Sequence, residues 1–170
     1  HAFAVARLAA AFALPLGLER PAYLAGLLHD LGKYTPAFQA RLSGSNERVD
    51  HSTAGAAHVV DMAKKASNDW LVAQLIAYCI LGHHAGLPDR VGQNGFEGRI
   101  ERFQGDRQRA LDAAWRDELK ADAANLIPPR FQKSDDHGKF QLSFMTRMIF
   151  SCLVDADFKD TEAFYCRIEG

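Results

Sequence analysis

The sequence predicts an all-α fold. Apolar residues recur every three or four positions along most of the chain, prolines and N-cap residues mark several helix starts, and no segment alternates apolar and polar residues as a strand does. The chain has 170 residues, of which 48% are hydrophobic and 24% are charged. This is enough to bury a core without disulfides or a structural metal, so we expect a single domain over residues 1–170.

Three helices are expected in the first quarter of the chain. His1–Ala13 has apolar residues at helical spacing and should form an amphipathic helix. Pro21 suits the first turn of a second helix, which continues through Ala22–His29. Thr35-Pro36 combines an N-cap residue with proline at the first helical position, so a short third helix should run from there to Leu42.

The next two helices are expected to include a central one. Ser52 or Thr53 could cap the first, which should run to about Ala66. The second covers Trp70–Leu81 and is apolar on most of its circumference, which is typical of a helix surrounded by others. Gly82 should end it.

The second half of the chain is less regular. Gly92–Gly105 is rich in glycine and charge and predicts an exposed loop or a short helix. Asp106–Leu126 predicts a long amphipathic segment, and Arg130–Gly138 predicts a polar loop. A last strong helix is expected from Phe140 to about Phe158.

Composition limits the classes of function and the compartment. The formal net charge is -1, so any nucleic-acid binding has to depend on a local patch or on metal ions. Cys79, Cys152 and Cys166 are widely spaced in apolar surroundings, which predicts buried free thiols in a reducing compartment. The sequence has no apolar run of transmembrane length and no signal-peptide pattern. We therefore expect a cytoplasmic protein without a membrane anchor.

Histidine and aspartate recur at positions where core-facing residues are expected. His29-Asp30 ends an apolar helix, His51 precedes the next one, and His83-His84 follows Gly82. The other members of this group are His1 on the first helix and Asp155 and Asp157 near the end of the last. Burial of ionisable side chains is costly unless they are paired or bound to metal, so the pattern predicts a metal site.

The number of candidate ligands favours two ions. About seven ligands from five segments exceed what one ion takes, and they suit two ions roughly 4 Å apart that share a carboxylate. Asp30 is the natural bridging residue, because its two oxygens can face different ions. Such a pair lowers the pKa of a shared water and polarises a phosphodiester. Lys33 could contact the phosphate or orient a ligand. Mixed His/Asp ligation favours Mn, Fe, Co or Ni, with Mg also possible.

Taken singly, these residues have ordinary structural explanations. His29-Asp30 could be a hydrogen-bonded cap, His83-His84 could end its helix because cations suit that end of the dipole, and Asp155 or Asp157 could cap a following helix. Taken together, these explanations fail, because they leave too many buried ionisable groups. His58 and His137 are expected to be non-catalytic, the first on an exposed helical face and the second in a polar loop.

Several strings in the sequence carry a family resemblance. They are AGLLHDLGK at residues 25–33, FQ at 38–39, RL at 41–42, DHSTAGA at 50–56, GHHAGLPD at 82–89, LVDAD at 153–157 and DTE at 160–162. They resemble the HD nuclease domain of the CRISPR-associated helicase-nuclease of type I systems, within the HD phosphohydrolase superfamily, and they look most like the type I-C branch. The resemblance implies an HD-domain helical bundle. Residues from about 92 to 139 have no counterpart in this pattern.

The resemblance also implies a two-metal site that cuts single-stranded DNA exposed at an R-loop. One ion would be held by His1, His29, Asp30 and either Asp155 or Asp157. The other would be held by Asp30, His51, His83 and His84. The catalytic candidates are His29, Asp30 and Lys33, and the candidates for contact with nucleic acid are Lys33, Ser52 and Thr53. The implied partners are a helicase, fused or separate, and a crRNA-guided surveillance complex that delivers the DNA.

Two other functions are compatible with the same residues. One is an HD phosphohydrolase that acts on nucleotides or cyclic nucleotides, which would need a deep pocket with contacts to base and ribose. The other is a degenerate HD domain that serves as a sensor or docking module, which loss of ligands would signal. All of the expected ligands are present.

Overall fold

The computed structural model describes residues 1–44, 49–105 and 110–169, and in these ranges it contains eight α-helices and no strand. The prediction of an all-α fold is therefore confirmed. The helices are α1 Ala2–Ala13, α2 Glu19–Leu28, α3 Pro36–Leu42, α4 Ser52–Met62, α5 Asn68–Gly82, α6 Phe96–Gly105, α7 Ala114–Leu119 and α8 Gly138–Glu169. Short 3-10 turns at Leu14–Leu16 and Leu31–Tyr34 follow α1 and α2.

Helices α1, α2, α4, α5 and α8 form the bundle, and α5 packs against α2, α4 and α8. The central position expected for this apolar helix is confirmed by the burial of Ile76 and Ile80. Close packing of α1 on α2 depends on Gly26, because a Cβ atom there would lie 2.7 Å from the Cα of Ala6. Leu28 and Leu81 are buried, so the core extends to the ends of α2 and α5, where the candidate ligands begin.

Hydrogen-bonding side chains set several helix starts. Thr35 accepts from the Phe38 amide at 3.3 Å, as the Thr35-Pro36 pattern predicts. Helix α5 begins at Asn68, two residues earlier than expected, because the hydroxyl of Ser67 caps it by accepting from the Trp70 amide at 3.1 Å. Helix α4 has His51 rather than Ser52 or Thr53 as its N-cap residue, and it ends at Met62 rather than near Ala66, because Ala63 takes an extended conformation with a φ of -80° and a ψ of 139°.

The long amphipathic segment expected over Asp106–Leu126 is largely not helical. Residues 106–109 lie outside the described ranges, and only Ala114–Leu119 forms a helix. The Asp112 carboxylate accepts from the Ala114 amide and the Asp122 carboxylate from the Ala124 amide, at 2.9 and 3.0 Å. Such local bonds compete with helix formation. The apolar periodicity instead reflects a chain that lies over the core and buries Trp115 and Leu126.

The last helix is longer than expected and continues about three turns beyond Phe158. Its end protrudes from the bundle, so Cys166 is exposed and the expectation of a third buried thiol is wrong. Cys79 and Cys152 are buried and free, as predicted. His58 is half-buried against Trp115 rather than exposed, because the chain around α7 covers this face of α4. None of the described helices is long and apolar enough to cross a membrane.

Candidate metal centre

The ends of several helices converge on one group of histidine and aspartate side chains. His29 is the C-cap residue of α2 and His83 that of α5, while His1 and His51 directly precede α1 and α4. Asp157 reaches the same place from the side of α8. Residues at helix ends can present side chains to a common point without interrupting any helix, which explains why dispersed sequence positions meet here.

Asp30 lies at the centre of this group, and its two oxygens face different histidines. Its Oδ2 lies 3.4 Å from His1 Nε2 and 3.2 Å from His29 Nε2. Its Oδ1 lies 3.5 Å from His51 Nε2 and 4.0 Å from His83 Nε2. This is the arrangement that a carboxylate shared by two cations would adopt.

The structure separates the two late aspartates. Asp157 Oδ1 lies 3.3 Å from His1 Nε2 and 3.7 Å from His29 Nε2. Asp155 is exposed and belongs to none of the described groups that could hold a metal. The phase of α8 explains the difference: Leu153 is fully buried, and Asp157 lies one turn further along the same face.

Ligand atoms within 4.8 Å of one another form three overlapping groups. The groups are Asp30 with His51, His83 and His84; Asp30 with His1 and His29; and Asp157 with His29 and His83. In the first of them, His51 Nε2 and His84 Nε2 lie 2.7 Å apart, so these two nitrogens can share a proton or point at a common cation. Imidazole nitrogens mixed with carboxylate oxygens suit Mn, Fe, Co or Ni.

The outer nitrogens of three histidines are held by other parts of the protein. His29 Nδ1 donates to the Gly26 carbonyl at 2.7 Å, and His83 Nδ1 donates to the Ile80 carbonyl at 2.6 Å. His1 Nδ1 donates to Asp160 Oδ2 at 2.7 Å. These bonds hold a proton on Nδ1 and direct each Nε2 into the cluster, which is the orientation of a metal-bound histidine.

The Nε2 atoms of His29 and His83 show whether the cluster suits a metal ion. His29 Nε2 and His83 Nε2 are buried and have no hydrogen-bond partner, although carboxylate oxygens lie nearby. A buried polar atom without a partner costs free energy, and coordination of a cation would remove that cost. The residues present therefore fit divalent transition-metal ions.

The pKa values divide the cluster into two halves. Hydrogen bonds to Asp157 and Asp30 raise the pKa of His1 to about 10. Burial opposes protonation of His29, but the same two carboxylates outweigh it and raise its pKa to about 9. In the other half burial lowers the pKa of His51, and it lowers the pKa of His83 to about 4. One half thus pairs carboxylates with imidazoles that hold their protons tightly, while in the other half His51 and His83 are neutral imidazoles.

The candidates for nucleic-acid contact differ in how they are placed. Lys33 is partly exposed, and its Nζ lies 2.5 Å from Asp30 Oδ2 at the edge of the cluster. Ser52 and Thr53 are buried, and their hydroxyls donate to the Asp50 carboxylate at 3.2 and 2.5 Å. Their hydrogen-bonding capacity is therefore used inside the protein, where it fixes the segment that carries His51.

Sequence reasoning missed two residues that support the cluster. Asp160 accepts from His1 and orients it, whereas the sequence indicated Asp160 only as part of the family-like string at 160–162. The other is Arg99 of α6, whose guanidinium contacts both segments that carry the second histidine group. It bonds to Asp50 Oδ2 at 3.0 Å, Ser52 Oγ at 2.8 Å, Thr53 Oγ1 at 3.1 Å and the Leu81 carbonyl at 3.0 Å. An isolated arginine in a glycine-punctuated segment gave no indication of this role.

Close backbone contact also fixes the position of His51 relative to Asp30. The Gly32 amide donates to the His51 carbonyl at 2.9 Å. A Cβ atom at Gly32 would lie 2.3 Å from that carbonyl oxygen, so only glycine permits this approach.

An all-α bundle with a His/Asp cluster at its helix ends defines a metal-dependent hydrolase domain of the HD type. A family model described as Cas3, HD domain matches residues 17–154, which is more than half of the chain. The chain therefore belongs to this family, which implies an HD-type, metal-dependent nuclease of a CRISPR system, and the resemblance seen in the sequence is confirmed. His1 and Asp157 lie outside the matched residues. A comparison with curated proteins finds no match.

Proposed function

We propose that this domain cleaves phosphodiester bonds of single-stranded DNA in CRISPR interference, using two divalent transition-metal ions. The observation that carries the proposal is Asp30, whose two oxygens face separate histidine groups in which buried Nε2 atoms have no other partner. One set of ligands would be His1, His29, Asp30 and Asp157. The other would be Asp30, His51, His83 and His84.

The chain's own residues prepare this chemistry before any substrate arrives. When bound, a pair of divalent cations supplies a water of lowered pKa and offsets the charge of the phosphodiester. The carbonyls of Gly26 and Ile80 keep the Nε2 atoms of His29 and His83 directed inward. Lys33 lies at the mouth of the cluster, where its ammonium can contact a non-bridging phosphate oxygen.

The shape of the site favours a polymeric substrate over a free nucleotide. The cleft above the cluster has a volume of about 420 Å³ and is bordered by Phe38, Arg41 and Leu42. Leu42 is 69% exposed, so this wall is open to solvent. A pocket for a nucleotide or cyclic nucleotide would enclose base and ribose. An open cleft allows a strand to enter and leave on both sides.

Partners would bring the DNA to the cluster. A formal net charge of -1 gives the domain little attraction for DNA. A helicase, fused or separate, and a crRNA-guided surveillance complex in the cytoplasm would raise the effective concentration of a single strand at the site. The domain then needs only weak affinity of its own.

Degradation of circular single-stranded DNA tests the proposal. Protein stripped of metal would be resupplied with Mn, Co, Ni or Mg, with Asp30→Asn as the inactive variant and His137→Gln as a matched control in an exposed loop. We expect transition-metal-dependent cutting that is lost in Asp30→Asn and kept in His137→Gln. Cyclic nucleotides assayed in parallel would distinguish the alternative: their hydrolysis without any cutting of DNA would contradict the proposal.

A further inference from the structure

Two clefts meet above the metal cluster and form one continuous groove. The first is the cleft bordered by Phe38, and the second, with a volume of about 530 Å³, runs along the end of α8. The two clefts share His1, Lys33 and Thr161 as lining residues. A ligand longer than the first cleft could therefore continue from the cluster onto the surface of α8.

The far part of the groove is lined by aromatic and cationic side chains. Phe164 and Tyr165 are each 57% exposed, and their ring centroids lie 5.8 Å apart in an edge-to-face arrangement. Arg167 lines the same cleft, and Lys33 stands where this cleft joins the cluster. Exposed aromatic rings beside cations are the features that proteins use to hold single strands, whose bases have free faces.

The groove and the metal cluster share one face of α8. Leu153, Asp157, Asp160, Phe164 and Arg167 follow one another at spacings of three or four residues. Along this stripe the helix changes from core to cluster to groove. Seven residues separate Asp157 from Phe164, so the aromatic pair lies about 10 Å along the helix from the cluster.

We propose that this groove, defined by Lys33, Thr161, Phe164, Tyr165 and Arg167, binds the single strand on one side of the cleavage site. Phe164 and Tyr165 stack on bases, and Lys33 and Arg167 contact phosphates. The proposal rests on the single-stranded DNA nuclease function above. A strand is favoured over a protein as the occupant because the surface is continuous with the cluster and carries cations beside its rings. A duplex would present no free base faces.

Equilibrium binding of a fluorescent oligothymidine tests the groove. All variants would be made in an Asp30→Asn background, so that the strand is not cut during the measurement. We expect Phe164→Ala and Tyr165→Ala each to weaken binding about tenfold, as expected for the loss of one stacked base. Phe164→Trp should restore affinity, because a larger ring stacks as well. Phe140→Ala is the matched control, since Phe140 is 71% exposed at the opposite end of the same helix.

Three outcomes would overturn this proposal. They are unchanged affinity in the Phe164→Ala, Tyr165→Ala double variant, an equal loss in Phe140→Ala, or no binding of the oligothymidine by the parent protein. Any of these results would show that the groove does not bind the single strand, and would favour a protein as its partner. Failure of the nuclease function would be seen separately, as a lack of cutting by the metal-loaded protein that still carries Asp30.

Discussion

Asp157 and Asp155 differ by two positions on the same helix, and this small difference decides whether a carboxylate reaches the cluster. We expect Asp157→Asn to lower metal affinity by more than about 100-fold, because even loss of an outer partner of a ligand costs about 10- to 100-fold. Asp155→Asn, on the exposed side of α8, should bind metal as the unaltered protein does. Calorimetric titration with Mn(II) would measure both. A loss of affinity in Asp155→Asn alone would show that the wrong carboxylate has been chosen.

His58 should make the stability of the fold depend on pH without affecting the metal site. Burial against Trp115 and Phe103 lowers its pKa below the ordinary value of 6.5. Below about pH 6.5 the His58 side chain therefore binds a proton in the unfolded chain but not in the folded chain. The free energy of unfolding should decrease as the pH is lowered through this window, and His58 should not affect it at higher pH.

The measurement for His58 is the free energy of unfolding from urea titrations between pH 5 and 8. The difference between the unaltered protein and His58→Gln should shift below about pH 6.5 in favour of the variant. A difference that stays constant over this pH range would contradict the burial of His58 in its neutral form.

At the level of single residues, the sequence predicts which types of residue form the cluster better than it predicts which side chains contact one another. Histidines and aspartates at the ends of apolar helices predicted a metal cluster, because buried ionisable groups need a compensating charge. The choice between Asp155 and Asp157 could not be made without the phase of α8 relative to the core. Asp160 and Arg99 were missed because each acts through another residue, and only the packed structure brings those pairs together.

Helix α6 contributes Arg99, which joins the start of α4 to the end of α5. The Arg99 side chain is 19% exposed, and its guanidinium forms four bonds to these two segments. Since His51 and His83 lie on those segments, Arg99 holds the second histidine group together. It is a positioning residue rather than a catalytic one.

Replacement of Arg99 should affect one half of the cluster more than the other. We expect Arg99→Ala to weaken binding of one ion about 10-fold or more, the range found for outer partners of metal ligands, while the other ion binds normally. Titration with Mn(II) followed by electron paramagnetic resonance would show a change from a coupled pair to a single ion at low metal concentration. Arg102→Ala, exposed on the same helix, is the control. A uniform loss of both ions would point to general unfolding.

Among the helices, the sequence was most informative where start signals and apolar period agreed. Thr35-Pro36 and the apolar run of α5 are examples. The sequence wrongly predicted a long helical segment over Asp106–Leu126. The apolar residues there are spaced as in a helix, but they belong to a largely non-helical chain that packs on the core, and the Asp112 and Asp122 carboxylates accept hydrogen bonds from nearby backbone amides. The sequence also underestimated α8, because Asp155 and Asp157 could be interpreted as caps of a following helix, whereas α8 continues through them to Glu169.

For the whole molecule, the near-neutral charge should appear in the salt dependence of DNA binding. The groove and cleft offer three cations to the phosphates, Lys33, Arg41 and Arg167. With about 0.7 counterions released per contact on a single strand, the slope of log K against log salt should be about −2. Oligothymidine binding at several salt concentrations would measure it. A slope of −5 or steeper would mean that a broad basic surface, rather than this groove, holds the strand.

The His/Asp cluster is proposed to hold two ions, one on either side of Asp30. Anomalous diffraction from crystals grown with Mn(II) tests it most directly. We expect two peaks roughly 4 Å apart, the spacing of two-metal hydrolases, one beside His1 and Asp157 and the other beside His51 and His83. In crystals of Asp30→Asn, we expect either one anomalous peak or none. A single peak in the unaltered protein, or none at this cluster, would contradict the two-ion account.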